Sequence, residues 1–368
     1  MTPLIPLRLG LQQRVLPSYR VPFFDALARA CAGGLGLLAG GARPGEMIET
    51  GAIPQAANYF EGGNRHFLRG PLYLCWQTQL ISWLEGWQPD VLVVEANPRY
   101  PNTPRAVRWM HRRRRPVIGW GLGAPEHTGP LAGWRSAVRR RFLAQFDALI
   151  AYSRQGMQEY LQAGFPANKV FTAPNAVAPR PAGSAPQRPA LFSGGQAHVL
   201  FVGRLQARKR IDLLLKACAS LPPGQHPQLT VVGDGPARAE WESLARKIYP
   251  SAQFLGAIHG AALEPFYLSA DLFVLPGTGG LAVQQAMSYG LPVIMAEGDG
   301  TQSELVRPGN GWQVAPGSAE DLAAHLGEAL ADPVRLRRMG EESFRIVSEE
   351  INLEKMVEAF STAIKSVI

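Results

Sequence analysis

The chain has 368 residues, and its 37 Lys and Arg against 29 Asp and Glu give a formal net charge of +8. An apolar fraction of 46% and a charged fraction of 18% are typical of a folded protein and exclude a disordered chain. Three widely separated cysteines exclude a disulfide framework and an all-cysteine zinc site, and they favour a reducing compartment. The length predicts two domains of roughly 150 residues each.

The charge is concentrated in one half of the chain. Residues 1–180 hold 21 basic and 10 acidic residues, a net +11, whereas residues 181–368 hold 16 and 19, a net −3. This asymmetry indicates that only the first half meets an anionic partner, with nucleic acid, an anionic membrane and a phosphorylated substrate all left open. Residues 1–10 lack a signal-peptide pattern, and no apolar run approaches the ~20 residues of a membrane span. We therefore expect a cytoplasmic protein, with peripheral attachment to the inner face of the membrane left open.

Short apolar runs alternate with amphipathic helical stretches along the chain. The predicted strands of the first half are Leu4–Gly10, Val91–Val94, Val117–Trp120 and Ala148–Ala151, with helices at Val21–Ala30 and Leu131–Phe146. Those of the second half are His198–Val202, Leu229–Val232, Gln253–Leu255, Leu272–Leu275 and Pro292–Ala296. This alternation predicts an α/β protein with two doubly wound domains, each a parallel sheet with helices on both faces.

Turn and cap residues mark the boundaries of these segments. Residues 174–195 are rich in Pro and Gly and lack apolar periodicity, which is typical of a linker between domains. Ser318 is predicted to cap one helix, and Asp332 with Pro333 is predicted to begin the next.

Two cations follow the strand that ends at Val202. Arg204 and Lys209 lie just beyond its carboxyl end, where open α/β sheets place their ligands. A guanidinium and an ammonium at such a position suit a phosphate or diphosphate. Because Arg208, Lys209 and Arg210 are consecutive, a solvated basic loop is the alternative interpretation.

Glycine-rich loops follow two further strands. Residues 231–236 contain Gly233 and Gly235, and residues 275–281 lead through a Gly-rich loop into a predicted helix. Free N–H groups at a helix start attract anions, and glycines let a ligand approach the backbone; a plain tight turn is the alternative. The acid that a dinucleotide fold needs for the ribose is absent at residues 254–256, which disfavours a nicotinamide oxidoreductase.

The order of these segments resembles the retaining nucleotide-sugar glycosyltransferases of family 4. The segments that carry the resemblance cover roughly residues 145–350 and are Ala148–Ser153, Pro174–Val177, Gly203–Leu205 with Lys209, Gly233–Pro236, Phe254–Gly256, Ala270–Pro276, Gln285–Val293, Glu304–Val306 and Gly309–Gly311. None is decisive alone, but their ordered occurrence is specific. Residues 1–145 match the family only in architecture.

The resemblance implies the GT-B fold, two Rossmann-like doubly wound domains facing a central cleft. It implies an acceptor-binding domain at 1–178, a linker at 179–196, a donor-binding domain at 197–350 and a C-terminal helix at 351–368 that packs back on the first domain. The implied activity moves a sugar from a nucleotide diphosphate sugar to a glycan or lipid-linked acceptor, with retention. It implies no metal and no cofactor besides the donor, and the charge distribution makes nucleic acid an unexpected partner.

The resemblance also implies roles for particular residues. Arg204 and Lys209 would hold the donor diphosphate as the catalytic cations, and His127 would contact the donor sugar, a surface loop histidine being the alternative. The implied donor-binding residues are Gly203, Gly233, Gly235, Leu255, Ile258, Gly279, Gly280, Leu281, Gln285 and Glu304. Glu304 also fits a helix-capping role. The loop after the first strand offers acceptor-binding candidates, namely Arg14, Tyr19 and Arg20.

The chain departs from the family at one pair of positions. The family carries two glutamates eight residues apart around the Gly-rich loop, and here those positions are Gly277 and Gln285. Gln285 keeps hydrogen-bonding capacity toward a ribose hydroxyl, whereas Gly277 offers only backbone. The departure leaves the donor sugar open and motivates a second hypothesis, a non-catalytic nucleotide- or glycan-binding GT-B protein.

The first half also contains a basic helical segment. Residues 131–146 place apolar residues at helical spacing beside Arg135, Arg139, Arg140 and Arg141. Such a segment is either a domain helix with its apolar side in the core or an amphipathic helix on an anionic membrane.

Overall fold

The structure, a computed structural model, describes residues 5–43, 46, 48, 50–279, 281–298 and 302–368. The chain forms two compact units: unit 1 combines the residues up to Pro179 with Leu353–Ile368, and unit 2 is Arg180–Asn352.

Unit 1 is built on a seven-stranded parallel sheet with the strand order β3-β2-β1-β6-β7-β8-β9, and β4 and β5 form a separate two-stranded antiparallel sheet. The strands are β1 (Leu9–Val15), β2 (Leu35–Gly40), β3 (Asn58–Gly62), β4 (Asn64–Phe67), β5 (Leu74–Gln77), β6 (Val91–Glu95), β7 (Val117–Gly121), β8 (Ala148–Ala151) and β9 (Val170–Thr172). The helices of unit 1 are α1 (Val21–Ala30), α2 (Leu80–Trp87), α3 (Thr103–His111), α4 (Ala132–Leu143), α5 (Arg154–Gln162) and, after unit 2, α13 (Leu353–Lys365).

Unit 2 repeats the plan with a six-stranded parallel sheet ordered β12-β11-β10-β13-β14-β15. Its strands are β10 (His198–Val202), β11 (Gln228–Val232), β12 (Gln253–Phe254), β13 (Leu272–Leu275), β14 (Val293–Ala296) and β15 (Gly311–Val314). Its helices are α6 (Ile211–Ser220), α7 (Arg238–Ile248), α8 (Glu264–Ser269), α9 (Leu281–Ser288), α10 (Gln302–Leu305), α11 (Ala319–Ala331) and α12 (Pro333–Glu349). The predicted α/β class with two doubly wound domains is confirmed.

The central strands of both sheets are continuous apolar runs. All four residues of β8 and of β13 are buried, as expected for parallel strands covered by helices on both faces. The predicted caps are confirmed: Ser318 Oγ accepts the Asp321 N–H at 3.0 Å, and Asp332 Oδ1 accepts the Arg335 N–H at 2.8 Å.

The predicted position of the first strand is wrong. The strand runs over Leu9–Val15, so Arg14 lies within it rather than in a loop after it. The polar residues Gln12 and Gln13 are buried there, and Gln77 hydrogen-bonds the side chain of the first and the backbone carbonyl of the second. Gln12 Nε2 donates to Gln77 Oε1 at 3.0 Å, and Gln77 Nε2 donates to the Gln13 carbonyl at 3.0 Å.

The segment after Pro179 belongs to unit 2 rather than standing free as a linker. Arg188 anchors it, donating to the carbonyls of Leu268 at 2.7 Å, Tyr267 at 2.8 Å and Tyr289 at 2.9 Å, and also to that of Ala270. A guanidinium has five donors in a fixed fork, so a single side chain can hold several carbonyls. The Pro- and Gly-rich composition therefore marks irregular backbone here, and not a flexible tether.

The helix predicted at Leu131–Phe146 is shorter, α4 at Ala132–Leu143, and its apolar side is only partly in the core. Phe142 and Phe146 are buried, whereas Trp134 and Val138 are exposed. The core interpretation is therefore wrong for Trp134 and Val138. No helix within the described residues has the length and apolar character to cross a membrane.

Candidate functional site

Three loops meet at the carboxyl edge of the unit 2 sheet. Gly203 N donates to Val232 O at 3.0 Å, Leu205 N donates to the Asp234 carbonyl at 2.9 Å, and Gly233 N donates to the Gly256 carbonyl at 2.7 Å. The loops after β10, β11 and β12 thus share backbone hydrogen bonds. This contact brings Gly203, Gly233 and Gly235 together, as the sequence predicts from strand ends that share one edge of a sheet.

Gly233 and Gly235 are required by this backbone contact. A Cβ on Gly233, whose φ is +143°, would lie 1.9 Å from the Gly203 carbonyl oxygen, and one on Gly235 would lie 2.3 Å from the Leu205 carbonyl oxygen. No side chain fits at such distances. The structure therefore gives these glycines a packing role, and their contact with a donor stays a prediction.

The loop after β13 packs on the turn before α6. Thr278 N donates to the Arg208 carbonyl at 3.1 Å, and Lys209 Nζ donates to the Thr278 carbonyl at 2.6 Å. A Cβ on Gly279, whose φ is +140°, would lie 2.2 Å from Lys209 Nζ. The ammonium of Lys209 is therefore seated against the backbone of the Gly-rich loop, which joins two segments that are 69 residues apart in sequence.

The same packing explains why no glutamate stands at position 277. A Cβ on Gly277 would lie 2.1 Å from the Arg208 carbonyl oxygen and 2.7 Å from Lys209 Cα. A backbone oxygen cannot move aside as a flexible side chain could. The closeness of the two loops, which places Lys209 at Thr278, therefore excludes any side chain at this position.

Burial alters the acidity of Lys209. Desolvation, with a smaller effect from the neighbouring charge of Arg208, lowers the pKa of the Lys209 ammonium to about 8. The negative charge of an anion beside this ammonium would compensate for the solvation that burial removes. Arg204 follows β10 on the same loop, and its side chain is exposed.

Helix α9 contains Gln285, the second of the two positions at which the family carries a glutamate. Gln285 is half-buried, and its Oε1 accepts a hydrogen bond from the Tyr267 hydroxyl at 3.3 Å. The Tyr267 ring stacks on Tyr289 with 5.1 Å between ring centroids. This aromatic pair orients the amide of Gln285. Gly280, at the predicted helix-start site, lies outside the described residues, and Leu281 is the first residue of α9.

The other predicted donor-binding residues of unit 2 lie at neighbouring strand ends. Leu255 follows β12, is 40% exposed and donates its N–H to the Val231 carbonyl at 3.0 Å. Ile258 is half-buried in the next loop. Glu304 lies within the short helix α10 and is buried.

In unit 1, Arg14 is tied into an ion-pair network. Its guanidinium lies 2.8 Å from Glu46, and Arg43 lies 2.8 Å from the same carboxylate. Partial burial of Glu46 opposes ionisation, but the hydrogen bonds from Arg14 and Arg43 outweigh it and lower the pKa of Glu46 to about 2. Arg14 therefore already has an anionic partner.

Arg20 is buried without an ion pair among the described residues, although the buried Glu95 carboxyl group interacts with it electrostatically. The residue is 5% exposed, and its guanidinium carbon lies 5.0 Å from the Trp120 ring centroid, 5.2 Å from that of Tyr152 and 5.7 Å from that of Tyr19. Among the described residues, nothing hydrogen-bonds its Nη1. A buried guanidinium held by aromatic faces is a cation prepared for an anion.

Sequence reasoning missed the aromatic half of this arrangement. Trp120 lies near the carboxyl end of β7, and Tyr152 directly follows β8. These two adjacent strands therefore place aromatic rings at the carboxyl edge of the unit 1 sheet. Tyr19, a predicted acceptor contact, is 40% exposed beside them. The signal available in the sequence was the aromatic residue at the end of each of these two predicted strands.

His127 lies in the loop between β7 and α4 of unit 1. Desolvation and the positive charges of Arg139 and Arg135 lower the pKa of its imidazole. The lowered pKa favours the neutral imidazole, which can both accept and donate a hydrogen bond without carrying charge.

Two family models match the chain. The model "Glycosyl transferases group 1" matches residues 186–345, and "Glycosyl transferase 4-like domain" matches residues 35–176. The first match falls within unit 2 and the second within unit 1, so that together they cover most of the chain.

Individual relatives match over shorter stretches. The sulfoquinovosyl transferase SQD2 of Arabidopsis thaliana is 34% identical over 140 residues, which are 36% of this chain and 26% of that protein. A GDP-mannose-dependent alpha-mannosyltransferase of Mycolicibacterium smegmatis is 39% identical over 117 residues, 31% of this chain and 29% of that protein. The chain thus matches roughly a quarter to a third of the length of these relatives.

The fold is shared over the whole chain with solved structures. HepE of Anabaena, solved in complex with UDP, superposes with a TM-score of 0.64 at 19% identity and covers 100% of both chains. With both halves matched by glycosyltransferase family models, the chain belongs to the group 1 glycosyltransferases and has their GT-B fold.

Proposed function

We propose that this protein transfers a sugar from a nucleotide diphosphate sugar to a glycan or lipid-linked acceptor. The observation that carries the proposal is Lys209, a partly desolvated ammonium held against the Gly277–Gly279 loop at the carboxyl edge of the unit 2 sheet. One relative is named as GDP-mannose-dependent, which supports a nucleotide diphosphate sugar as the donor.

The proposed chemistry is stabilisation of the leaving group. Breaking the bond between sugar and phosphate leaves a nucleoside diphosphate whose negative charge increases in the transition state. Lys209, Arg204 and the backbone N–H groups at the start of α9 would receive that charge, and preorganised donors of this kind lower a barrier because they need no rearrangement during the reaction. Leu255 and Ile258 would border the nucleobase, and Gln285 would bind a donor hydroxyl.

The donor is identified by a thermal-shift panel of UDP-, GDP-, dTDP- and ADP-sugars, followed by a nucleotide-release assay with the stabilising donor. Lys209→Ala should weaken donor binding by at least ~10-fold, in the range of one lost charge-assisted hydrogen bond. Lys209→Arg, which keeps the charge, is the matched control. Undiminished binding by Lys209→Ala would disprove the assigned diphosphate site.

We further propose that unit 1 binds an acceptor that carries an anionic group. Arg20 has a buried Nη1 without a partner among the described residues, whereas Arg14 is paired with Glu46. Arg20→Lys should raise the KM for the acceptor by ~10-fold or more while leaving the KM for the donor unchanged, since it loses the fork geometry. An equal change in both KM values would indicate a structural role instead.

Retention and independence of metal are also proposed for this protein. NMR of the product gives the anomeric configuration directly, and inversion would contradict the first proposal. Activity should persist in EDTA, and activity that EDTA abolishes and Mg²⁺ restores would contradict the second.

The alternative is a GT-B protein that binds a nucleotide or glycan without catalysis. The observation favouring it is that Gly277 and Gln285 stand where the family carries carboxylates. Stabilisation by a nucleotide sugar without nucleotide release on any acceptor would support this alternative, whereas multiple turnovers would exclude it.

A further inference from the structure

One helix of unit 1 exposes a large apolar surface. Leu131 is 63% exposed, Trp134 is 66% exposed and Val138 is 47% exposed. Leu131 immediately precedes α4, and Trp134 and Val138 lie within it. We call these three residues, together with the exposed Arg135 and Arg141 on the same helix, the α4 patch.

The three apolar residues continue the stripe by which α4 packs on its own unit. Positions 131, 134, 138 and 142 follow the three- and four-residue spacing of one helix face. Phe142, the last of them, is 8% exposed and packs in the core of unit 1 with Leu143 and Phe146. The helix therefore extends beyond the core, and its apolar face up to Val138 is left without a covering element among the described residues.

Arginines border this face on both sides. Arg135 is four residues after Leu131 and three before Val138, and Arg141 is three residues after Val138, so each is a neighbour of the apolar stripe on the helix surface. Among the described residues neither has a carboxylate within ion-pair distance. The long side chains can lie along apolar surface while the guanidinium reaches water or a phosphate.

We propose that the α4 patch binds the surface of an anionic lipid bilayer. An isolated apolar stripe with a tryptophan at its centre and arginines at its borders matches the chemistry of the bilayer interface. There the apolar side chains enter the acyl boundary and the guanidinium groups meet lipid phosphates. The charge argues for lipid rather than for a second copy of the chain, because two copies would bring like charges together at one face. This inference does not depend on the donor or acceptor assigned above.

The test is sedimentation of the whole 368-residue chain with lipid vesicles. Vesicles of phosphatidylcholine containing 30% phosphatidylglycerol are compared with vesicles of phosphatidylcholine alone. We expect binding to the anionic vesicles that weakens as NaCl rises, because salt screens the charge attraction. The variant Leu131→Ser, Trp134→Ser, Val138→Ser should lose about tenfold or more in partitioning. The variant Arg135→Gln, Arg141→Gln should lose the dependence on phosphatidylglycerol and on salt.

Matched control variants distinguish binding by the α4 patch from nonspecific hydrophobic binding and from the effect of overall positive charge. Ile53 and Leu72 are 68% and 70% exposed elsewhere in unit 1, and the variant Ile53→Ser, Leu72→Ser should bind like the wild type. Arg69 and Arg112 are exposed arginines outside α4, so Arg69→Gln, Arg112→Gln is the charge control. Circular dichroism of each variant verifies that the fold is kept.

Two results would overturn the proposal. Equal binding of wild type and the three-serine variant to anionic vesicles would show that the patch does not contact lipid. The second result would come from sedimentation equilibrium without lipid. If the wild type is a dimer and the three-serine variant is a monomer, the patch is a contact between copies of the chain.

Discussion

At the scale of single residues, the candidate site depends on the absence of a side chain. The Arg208 carbonyl oxygen occupies the space that a Cβ at position 277 would need, at 2.1 Å. The substitution Gly277→Glu should therefore not restore the family's carboxylate but lower the free energy of unfolding by roughly 3 kcal/mol, as overpacking against backbone does.

Urea denaturation with fluorescence detection measures this loss. Gly224→Glu is the matched control, because a Cβ there meets nothing within 4 Å. A stable Gly277→Glu protein with improved donor affinity would contradict the interpretation that backbone packing fixes this position.

The pKa of Lys209 predicts how donor binding depends on pH. A diphosphate binds the protonated ammonium, and the pKa of about 8 means that the free protein holds this charge below pH 8 and loses it above. Binding must then be accompanied by proton uptake, so donor affinity should be constant below pH 7 and fall by up to ~10-fold per pH unit above 8. Titration calorimetry between pH 6 and pH 9.5 gives this profile.

Lys209→Arg provides the control for the pH profile, since a guanidinium stays charged over this whole range. Its donor affinity should vary less with pH than that of the wild type. An identical decline in both proteins would assign the titration to another group.

At the scale of elements, one arginine keeps a segment without regular structure on unit 2. Arg188 donates to four backbone carbonyls from α8, its C-terminal turn and the end of α9. Burial, and to a lesser degree the charge of Arg337, lowers the pKa of Arg188 to about 10, yet it stays charged at neutral pH. Arg188→Ala should lower the free energy of unfolding by about 3 kcal/mol, because hydrogen bonds from a charged donor are lost and buried carbonyls are left without partners.

Thermal and urea denaturation check this value against the exposed neighbour Gln187, whose replacement by Ala should change stability by less than ~0.5 kcal/mol. A small effect of Arg188→Ala would mean that the segment is held by its prolines and chain connectivity alone.

At the scale of the whole molecule, the end of the chain returns to the unit where the chain begins. Helix α13 packs on α1, and its Phe360 ring meets Phe23 and Trp120 with 5.0 Å between ring centroids in each case. Phe360 is fully buried, so Phe360→Ala should lower the free energy of unfolding of unit 1 by ~3–5 kcal/mol. Ile368→Ala, at a position that is 63% exposed, is the control.

Near-ultraviolet circular dichroism follows this change through the buried Trp120 of unit 1. Donor binding to unit 2 should be unaffected in Phe360→Ala at temperatures where both units stay folded. A loss of donor binding parallel to the loss of unit 1 structure would show that the two units do not fold independently.

The features that depend on local sequence patterns could be predicted without the structure. Continuous apolar runs place most strands of both sheets, the helix caps at Ser318 and Asp332 follow from short-range chemistry, and the strand ends predict where Lys209 and the glycine loops meet. The predicted position of the first strand was wrong because Gln77, which hydrogen-bonds the buried Gln12 side chain and the Gln13 carbonyl, is more than 60 residues away in sequence.

The features that depend on contacts between distant segments could be identified only in the folded structure. The close approach of the Arg208 carbonyl explains Gly277. Arg20, which lies against the aromatic rings of Trp120 and Tyr152, differs from Arg14, which is paired with Glu46. The exposure of Trp134 also could not be predicted, because periodicity identifies an apolar face but not whether anything covers it. The physical reason is common to these cases: burial and pairing are properties of three-dimensional neighbours, whereas a sequence pattern records only neighbours along the chain.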